Sequence, residues 1–165
     1  MKDLSLSFLW GLFMCLTGCS LWNSTPTPPL IIPFALHQAG TVLETDVEIE
    51  QDRRIILDFR FYVNDQPEDR DRLLTFLGKG LDRIGTPIPL KVQITKHAAS
   101  KDTVILEKIY TTVGIRGIGQ TNFDRLIDKL DIKSGKYRIR LETIEAFPQL
   151  SDTPIEFSLY YFWKK

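Results

Sequence analysis

Four carboxylates, Glu44, Asp46, Glu48 and Glu50, recur at every second position of Thr41–Glu50. Two acids flanking a bond are all that glycoside hydrolysis requires, so this stretch comes nearest to catalytic chemistry. A further acid, Asp58, sits in the next alternating run, Ile55–Val63. Joining the two runs as a hairpin through Gln51-Asp52-Arg53 sets Glu50 against Arg54, Glu44 against Arg60 and Asp46 against Asp58. Like charges opposed on one sheet face cost stability unless a cation or an arginine lies between them. The Asp46/Asp58 face is therefore where a divalent ion or a carboxylate-based hydrolase would be sought. Alternating acids are also the ordinary composition of a strand face in water. That solvated reading is preferred, and no catalytic residue, metal ligand or cofactor is assigned.

The other reactive types are sparse. His37 and His97 are the only histidines and are far apart in sequence. No H-E-x-x-H and no G-x-S-x-G occurs. Val113-Gly114-Ile115-Arg116-Gly117-Ile118-Gly119 is glycine-rich, but its order is G-x-x-G-x-G, unlike a dinucleotide fingerprint, and no phosphate-binding lysine follows. It reads as a loop at a strand end. Lys plus Arg and Asp plus Glu number 21 each. That balance offers no basic face for nucleic acid.

The two cysteines are Cys15 and Cys19. Cys19 ends Leu16-Thr17-Gly18-Cys19, after a short apolar run from Leu4 that follows Met1-Lys2-Asp3. A positive start, an apolar segment and small residues at a cleavage site form a secretory signal, and the run is too short for the ~20 residues of a spanning helix. The tetrapeptide resembles the lipobox of bacterial lipoproteins, in which cleavage precedes the cysteine and its thiol is acylated. The resemblance implies residues 1–18 as signal peptide and Cys19 as the lipid attachment site. Ser20 at the next position, in place of aspartate, implies the outer membrane, periplasmic face. Two or more acyl chains anchor stably where one binds marginally. With Cys15 removed and Cys19 acylated, the remaining domain has no disulfide, so packing alone must hold it.

Residues 19–33 read as a lipidated cysteine and a tether, with Pro26, Pro28, Pro29 and Pro33 keeping the chain extended. At ~3.1 Å per residue such a tether reaches roughly 40 Å. Residues 34–165 then form one domain. Phe34–Gln38 begins a first strand, followed by the two alternating runs above. Asp69–Leu77 reads as a short helix stopped by Gly78. Gly85-Thr86-Pro87-Ile88-Pro89 is too proline-rich for a central strand. Leu90–Thr95 and Thr103–Thr112 are strands. Asn122 caps a second short helix, with Phe123, Leu126, Ile127 and Leu130 spaced as one helical face. A strand starts within Ile132–Leu141, where Gly135 two residues before Tyr137 resembles the tyrosine corner of β-sandwiches. Ile155, Phe157, Leu159, Tyr161 and Trp163 alternate in the last strand.

From Gly85-Thr86-Pro87-Ile88-Pro89-Leu90-Lys91-Val92 onward, the chain resembles an uncharacterised family of small proteobacterial lipoproteins with a domain of unknown function. The shared features are the lipobox, that G-x-P-I-P-L-K stretch, the Leu130–Tyr137 segment running into Gly135-Lys136-Tyr137-Arg138, and a terminal lysine after an aromatic strand. The resemblance implies a mostly β lipoprotein and supplies no activity.

The expectation is thus a mainly β protein, a two-layer antiparallel β-sandwich with one or two short helices, with α+β as the alternative. Its leading function is a non-enzymatic binding module, anchored through Cys19 to the membrane and meeting a protein partner. The alternative is an immunity or inhibitor lipoprotein that neutralises a toxin or lipid-attacking effector, and the carboxylate-based hydrolase stands third.

Overall fold

A computed structural model describes residues 24–64, 66–79 and 84–163. The signal, Cys19 and the terminal lysines lie outside the described residues. Among the described residues, nine strands form two antiparallel sheets: β1 (Leu30–Pro33), β2 (Val42–Ile49), β3 (Arg53–Tyr62), β4 (Ile88–Lys96), β5 (Thr103–Thr112), β6 (Gly117–Ile118), β7 (Asn122–Ile132), β8 (Gly135–Thr143) and β9 (Ile155–Tyr161). One sheet has the order β1-β9-β3-β7-β6 and the other β2-β8-β4-β5. The mainly β fold of two antiparallel sheets is as the alternation predicts. Ile55, Leu57, Phe59 and Phe61 of β3 face Leu90, Val92, Ile94, Ile139 and Leu141 of the other sheet in one buried cluster. Period-two patterning puts alternate residues on one face, which is why these strands bury a continuous apolar layer.

One helix, α1 (Pro67–Leu77), carries the chain from β3 to β4. Pro67 at its first turn, Glu68 and Asp69 beside it and Gly78 at φ 103° are the start and stop expected of a helix. Its Leu73 and Leu77 are fully buried, and Phe76 meets Phe147 edge to face at 5.8 Å.

The hairpin between β2 and β3 does not form. Glu50–Asp52 is an arch between the sheets: β2 pairs with β8, and β3 pairs with β7 and β9. Glu44 consequently faces Arg140 and Asp46 faces Arg138, while Asp58 faces Ser158 and Leu126. The second helix is also absent, because Asn122–Ile132 is strand β7. Phe123, Arg125 and Ile127 point inward with period two, and a bulge opposite Leu57/Asp58 then shifts the phase. The buried arginine and the bulge together disguise a strand as a helical face.

The folded part starts earlier than residue 34. Leu30–Pro33, expected in the tether, pair along β9, and the Glu48 N–H donates to the Pro26 carbonyl at 2.9 Å. Phe34–Gln38 is not a strand, although Phe34 and Leu36 are buried. Pro89 lies inside central strand β4, next to its first residue, where it opposes Thr111 and the ladder to β8 has not yet begun. The tyrosine corner is present: the Tyr137 hydroxyl donates to the Lys133 carbonyl at 2.8 Å, tying the arch between β7 and β8.

Candidate functional site

The acidic face of β2 is one half of an ion-pair ladder. Arg138 on β8 donates to Asp46 through Nε at 2.9 Å and Nη2 at 3.3 Å, and lies 3.6 Å from Glu44. Arg140 lies 3.6 Å from Glu44 and 3.1 Å from Glu142. The hydrogen bond from Arg138 is the main reason the Asp46 carboxyl is held below its ordinary range. A carboxylate kept ionised in this way does not act as a general acid. His97 joins the end of the ladder, 2.9 Å from Asp102 and 3.4 Å from Asp46, and His37 takes no part in it. Exposed pairs of this kind are screened by solvent and add little to stability. Among the described residues, no group of three or more His, Cys, Asp and Glu side chains gathers as a metal site. The Asp46/Asp58 pairing does not exist, because the two acids lie on different sheets.

Asp58 has different surroundings. It lies on the outer face of β3, since Leu57 and Phe59 on either side of it face the core. It is nevertheless fully buried. Its Oδ2 accepts the Tyr160 hydroxyl at 2.6 Å and Nη1 of Arg116 at 3.2 Å. The same guanidinium nitrogen donates to Tyr160 Oη at 2.5 Å. Oδ1 of Asp58 has no partner, and neither has Oγ of Ser158, the residue directly opposite on β9. Burial pushes the Asp58 carboxyl up, against the lowering contributions of Tyr160 and Arg116. Burial and then the Asp58 hydrogen bond push the Tyr160 phenol up to about 12. Tyr160 therefore stays protonated at neutral pH as a fixed donor.

Along the same face, Arg60 donates to Asp124 at 2.9 Å and the Tyr62 hydroxyl donates to Glu156 at 2.5 Å. Beside Ser158 is a hollow of about 290 Å³ lined by Pro29, Leu30, Ile31, Arg60, Ser158 and Tyr160. Its volume is at the lower end of ligand pockets. It suits one side chain or one small polar group. A perturbed carboxyl beside such a hollow is a functional candidate with a physical basis. What this arrangement offers is acceptance: an incoming donor would complete Asp58 Oδ1 and Ser158 Oγ, which are costly to leave buried and unpaired.

Sequence reasoning singled out Asp58 for the wrong neighbour and left Arg116, Ser158 and Tyr160 without roles. Its glycine-rich loop holds Arg116, and the loop places that guanidinium over the sheet. A signal did exist. Asp58, Arg60 and Tyr62 alternate with core residues, and Glu156, Ser158 and Tyr160 do the same on β9, so two neighbouring strands share a polar outer face.

The sheet edges also differ. β1 has four residues, β6 has two, and β2 is met by Pro26 at Glu48. β5 has ten residues, is outermost in its sheet, and exposes Val104, Ile105 and Ile109 at 50%, 49% and 60%.

The family described as Domain of unknown function (DUF5625) matches residues 31–161, from within β1 to the last residue of β9. A crystal structure of a protein from Sulfurospirillum deleyianum superposes with a TM-score of 0.73 at 28% identity, covering 82% of this chain and 98% of that one. No curated protein matches the chain.

Proposed function

We propose that this chain, which belongs to the DUF5625 family of domains of unknown function, is a non-enzymatic binding module held by lipid on Cys19 at the periplasmic face of the outer membrane. The observation that carries the reading is the pair of unpartnered, buried polar atoms, Asp58 Oδ1 and Ser158 Oγ, beside the hollow at Tyr160 and Arg60. A hydrogen-bond donor from a protein partner, such as a lysine ammonium or a side-chain amide, would pair with these atoms. Pro29, Leu30 and Ile31 give the remainder of the hollow an apolar wall. Binding is favoured over turnover because the acid is paired with a tyrosine held protonated and with an arginine, and the residues that line the hollow include no carboxylate.

Asp58→Asn tests this reading. Asparagine keeps the acceptor for Tyr160 and Arg116 but turns the unpartnered oxygen into a donor, which would oppose an incoming donor. The full chain, solubilised in detergent, is used as bait against envelope proteins. A partner captured in stoichiometric amount by the wild type is expected to be lost with Asp58→Asn and weakened with Ser158→Ala. Equal capture by all three would refute the assignment of the hollow.

Stability is expected to move the other way. A carboxyl whose folded value is raised is at no disadvantage below its ordinary range and loses stability as pH rises through the folded value. Asp58→Asn and wild type should therefore melt together near pH 3. At pH 7 the variant should melt at a higher temperature than the wild type.

Anchoring has its own test. Cys19→Ser is expected to leave the precursor uncleaved by the lipoprotein peptidase and without acyl chains. Normal maturation would sink the lipid assignment.

A further inference from the structure

We infer that β5 is a self-association edge, and that a second copy of this chain adds its own β5 antiparallel to it. An exposed edge strand offers a row of unpaired N–H and C=O groups, and proteins normally blunt such rows with short length, charge, bulges or cover. The other edges here are blunted. β1 and β6 are four and two residues long. β2 carries Glu44, Asp46 and Glu48 outward and gives the Glu48 N–H to Pro26. The part of β7 that β6 leaves bare is bulged and bears Lys129 and Asp131. β5 has its own bulge at Ile105 and carries Glu107 and Lys108, but among the described residues it is the long edge strand that turns several large apolar side chains outward.

The sequence of β5 selects both the occupant and the register. A two-fold axis normal to the sheet sets residues of equal parity opposite each other, so each choice of central residue defines one register. Centring on Glu107 opposes Glu107 to its own copy, and centring on Lys108 opposes two ammonium groups; like charges directly opposite are destabilising. Centring on Leu106 puts the bulge at Ile105, where the ladder to β4 is interrupted, directly beside the axis. Centring on Ile109 places the axis in the regular half of the strand and moves the bulge to the outermost pair. It sets Ile109 on Ile109, Ile105 on Val113, Glu107 on Thr111 and Lys108 on Tyr110. No like charges meet, and three residues that are 49%, 60% and 41% exposed (Ile105, Ile109 and Val113) cover one another. The four-stranded sheet thereby becomes an eight-stranded one crossing both copies. A heterologous strand would show no reason for β5 to be complementary to itself.

Cross-linking and mass measurement test this together. Directly opposed residues in an antiparallel pair have Cα atoms ~4.5–5.5 Å apart, within the range a disulfide spans. Cys15 and Cys19 are the only cysteines. In the full chain with both replaced by serine, Ile109→Cys is expected to oxidise to a covalent dimer, while Glu44→Cys on β2 stays monomeric. Sedimentation equilibrium of the chain carrying only the two serine replacements should show a monomer–dimer equilibrium. Ile109→Lys should weaken that equilibrium by roughly 100-fold, since two buried isoleucines are replaced by two opposed charges. Ile109 is solvent-exposed in one copy, so at concentrations where both proteins are monomers an unchanged melting temperature will show that the variant is folded. A monomer at every concentration, or no excess of Ile109→Cys dimer over Glu44→Cys, overturns the inference. Capture of a partner at Asp58 is read independently of either result.

Discussion

Phe59→Ala is expected to destabilise the domain by about 3–5 kcal/mol, the usual cost of emptying a phenylalanine site in a core. Phe59 is fully buried in the middle of β3, the strand that is paired on both sides, to β7 and β9. Its ring stacks on Phe34 with centroids 5.6 Å apart and meets Phe61 edge to face at 6.3 Å. Phe34 follows β1 directly, so the ring also fixes the segment through which the chain enters the fold. Domains of this size hold ~5–15 kcal/mol in all, and alanine here removes a large share of that. Urea denaturation with unchanged slope would measure the loss as a lower midpoint. A cost below about 1 kcal/mol would mean that the site collapses without a cavity and that the stacking described is not what fills the core.

Arg125→Ala is expected to cost a similar ~3–5 kcal/mol, for a different reason. The Arg125 guanidinium is fully buried between the sheets, opposite Phe59 on β3. Its Nη2 donates to the Thr86 carbonyl at 2.6 Å and to the Thr112 carbonyl at 2.8 Å, while Nε and Nη1 have no partner. Burial alone pulls its pKa down to about 10, because no carboxylate compensates. The charge is thus costly where it stands, and its return is to hold two backbone segments. One is the approach to β4. There the Gly85 N–H donates to the Val113 carbonyl at 2.7 Å, and a Cβ on Gly85 would collide with the Leu77 carbonyl group. Only glycine permits that approach to the end of α1. Alanine at 125 leaves two buried carbonyls without donors and a void. Methionine keeps most of the volume and sheds the buried charge, so Arg125→Met should cost clearly less than Arg125→Ala. Hydrogen exchange should report the loss first at Gly85. Equal stability of wild type and Arg125→Ala would refute the clamp.

Both residues bear on how far the sequence could be read. Alternation located the strands because β2, β3, β4, β8 and β9 each keep core residues at every second position. It did not identify their partners. A short polar turn between two alternating runs has the same local pattern whether it closes a hairpin or arches between sheets. The Asp46/Asp58 opposition produced by the hairpin register was in fact the warning. In the structure Asp46 meets Arg138, while Asp58 meets Arg116 and Tyr160. β7 was illegible for two local reasons. Arg125 occupies an inward position where an apolar residue would have kept the alternation, and the bulge moves Leu130 into a helical spacing. The polar site was half visible. Asp58 and the glycine-rich loop both stand out in the sequence, but bringing Arg116, Tyr160 and Asp58 together takes segments more than forty residues apart in sequence.

The bonding of the N-terminal segment to both sheets sets how force would travel through the molecule. A pull on the chain before Ser24 loads the Pro26–Glu48 hydrogen bond first, and that bond belongs to the four-stranded sheet. Next in the path is the β1–β9 ladder of the five-stranded sheet, followed by the Phe34–Ile155 bond and the stacked Phe34 ring. The segment therefore behaves as a graded fuse. Its outer bonds yield singly under small loads, and the core is stressed only after the ladder has sheared. Slack released in those first steps would lengthen the leash while Asp58 and its neighbours stay in place on β3 and β9.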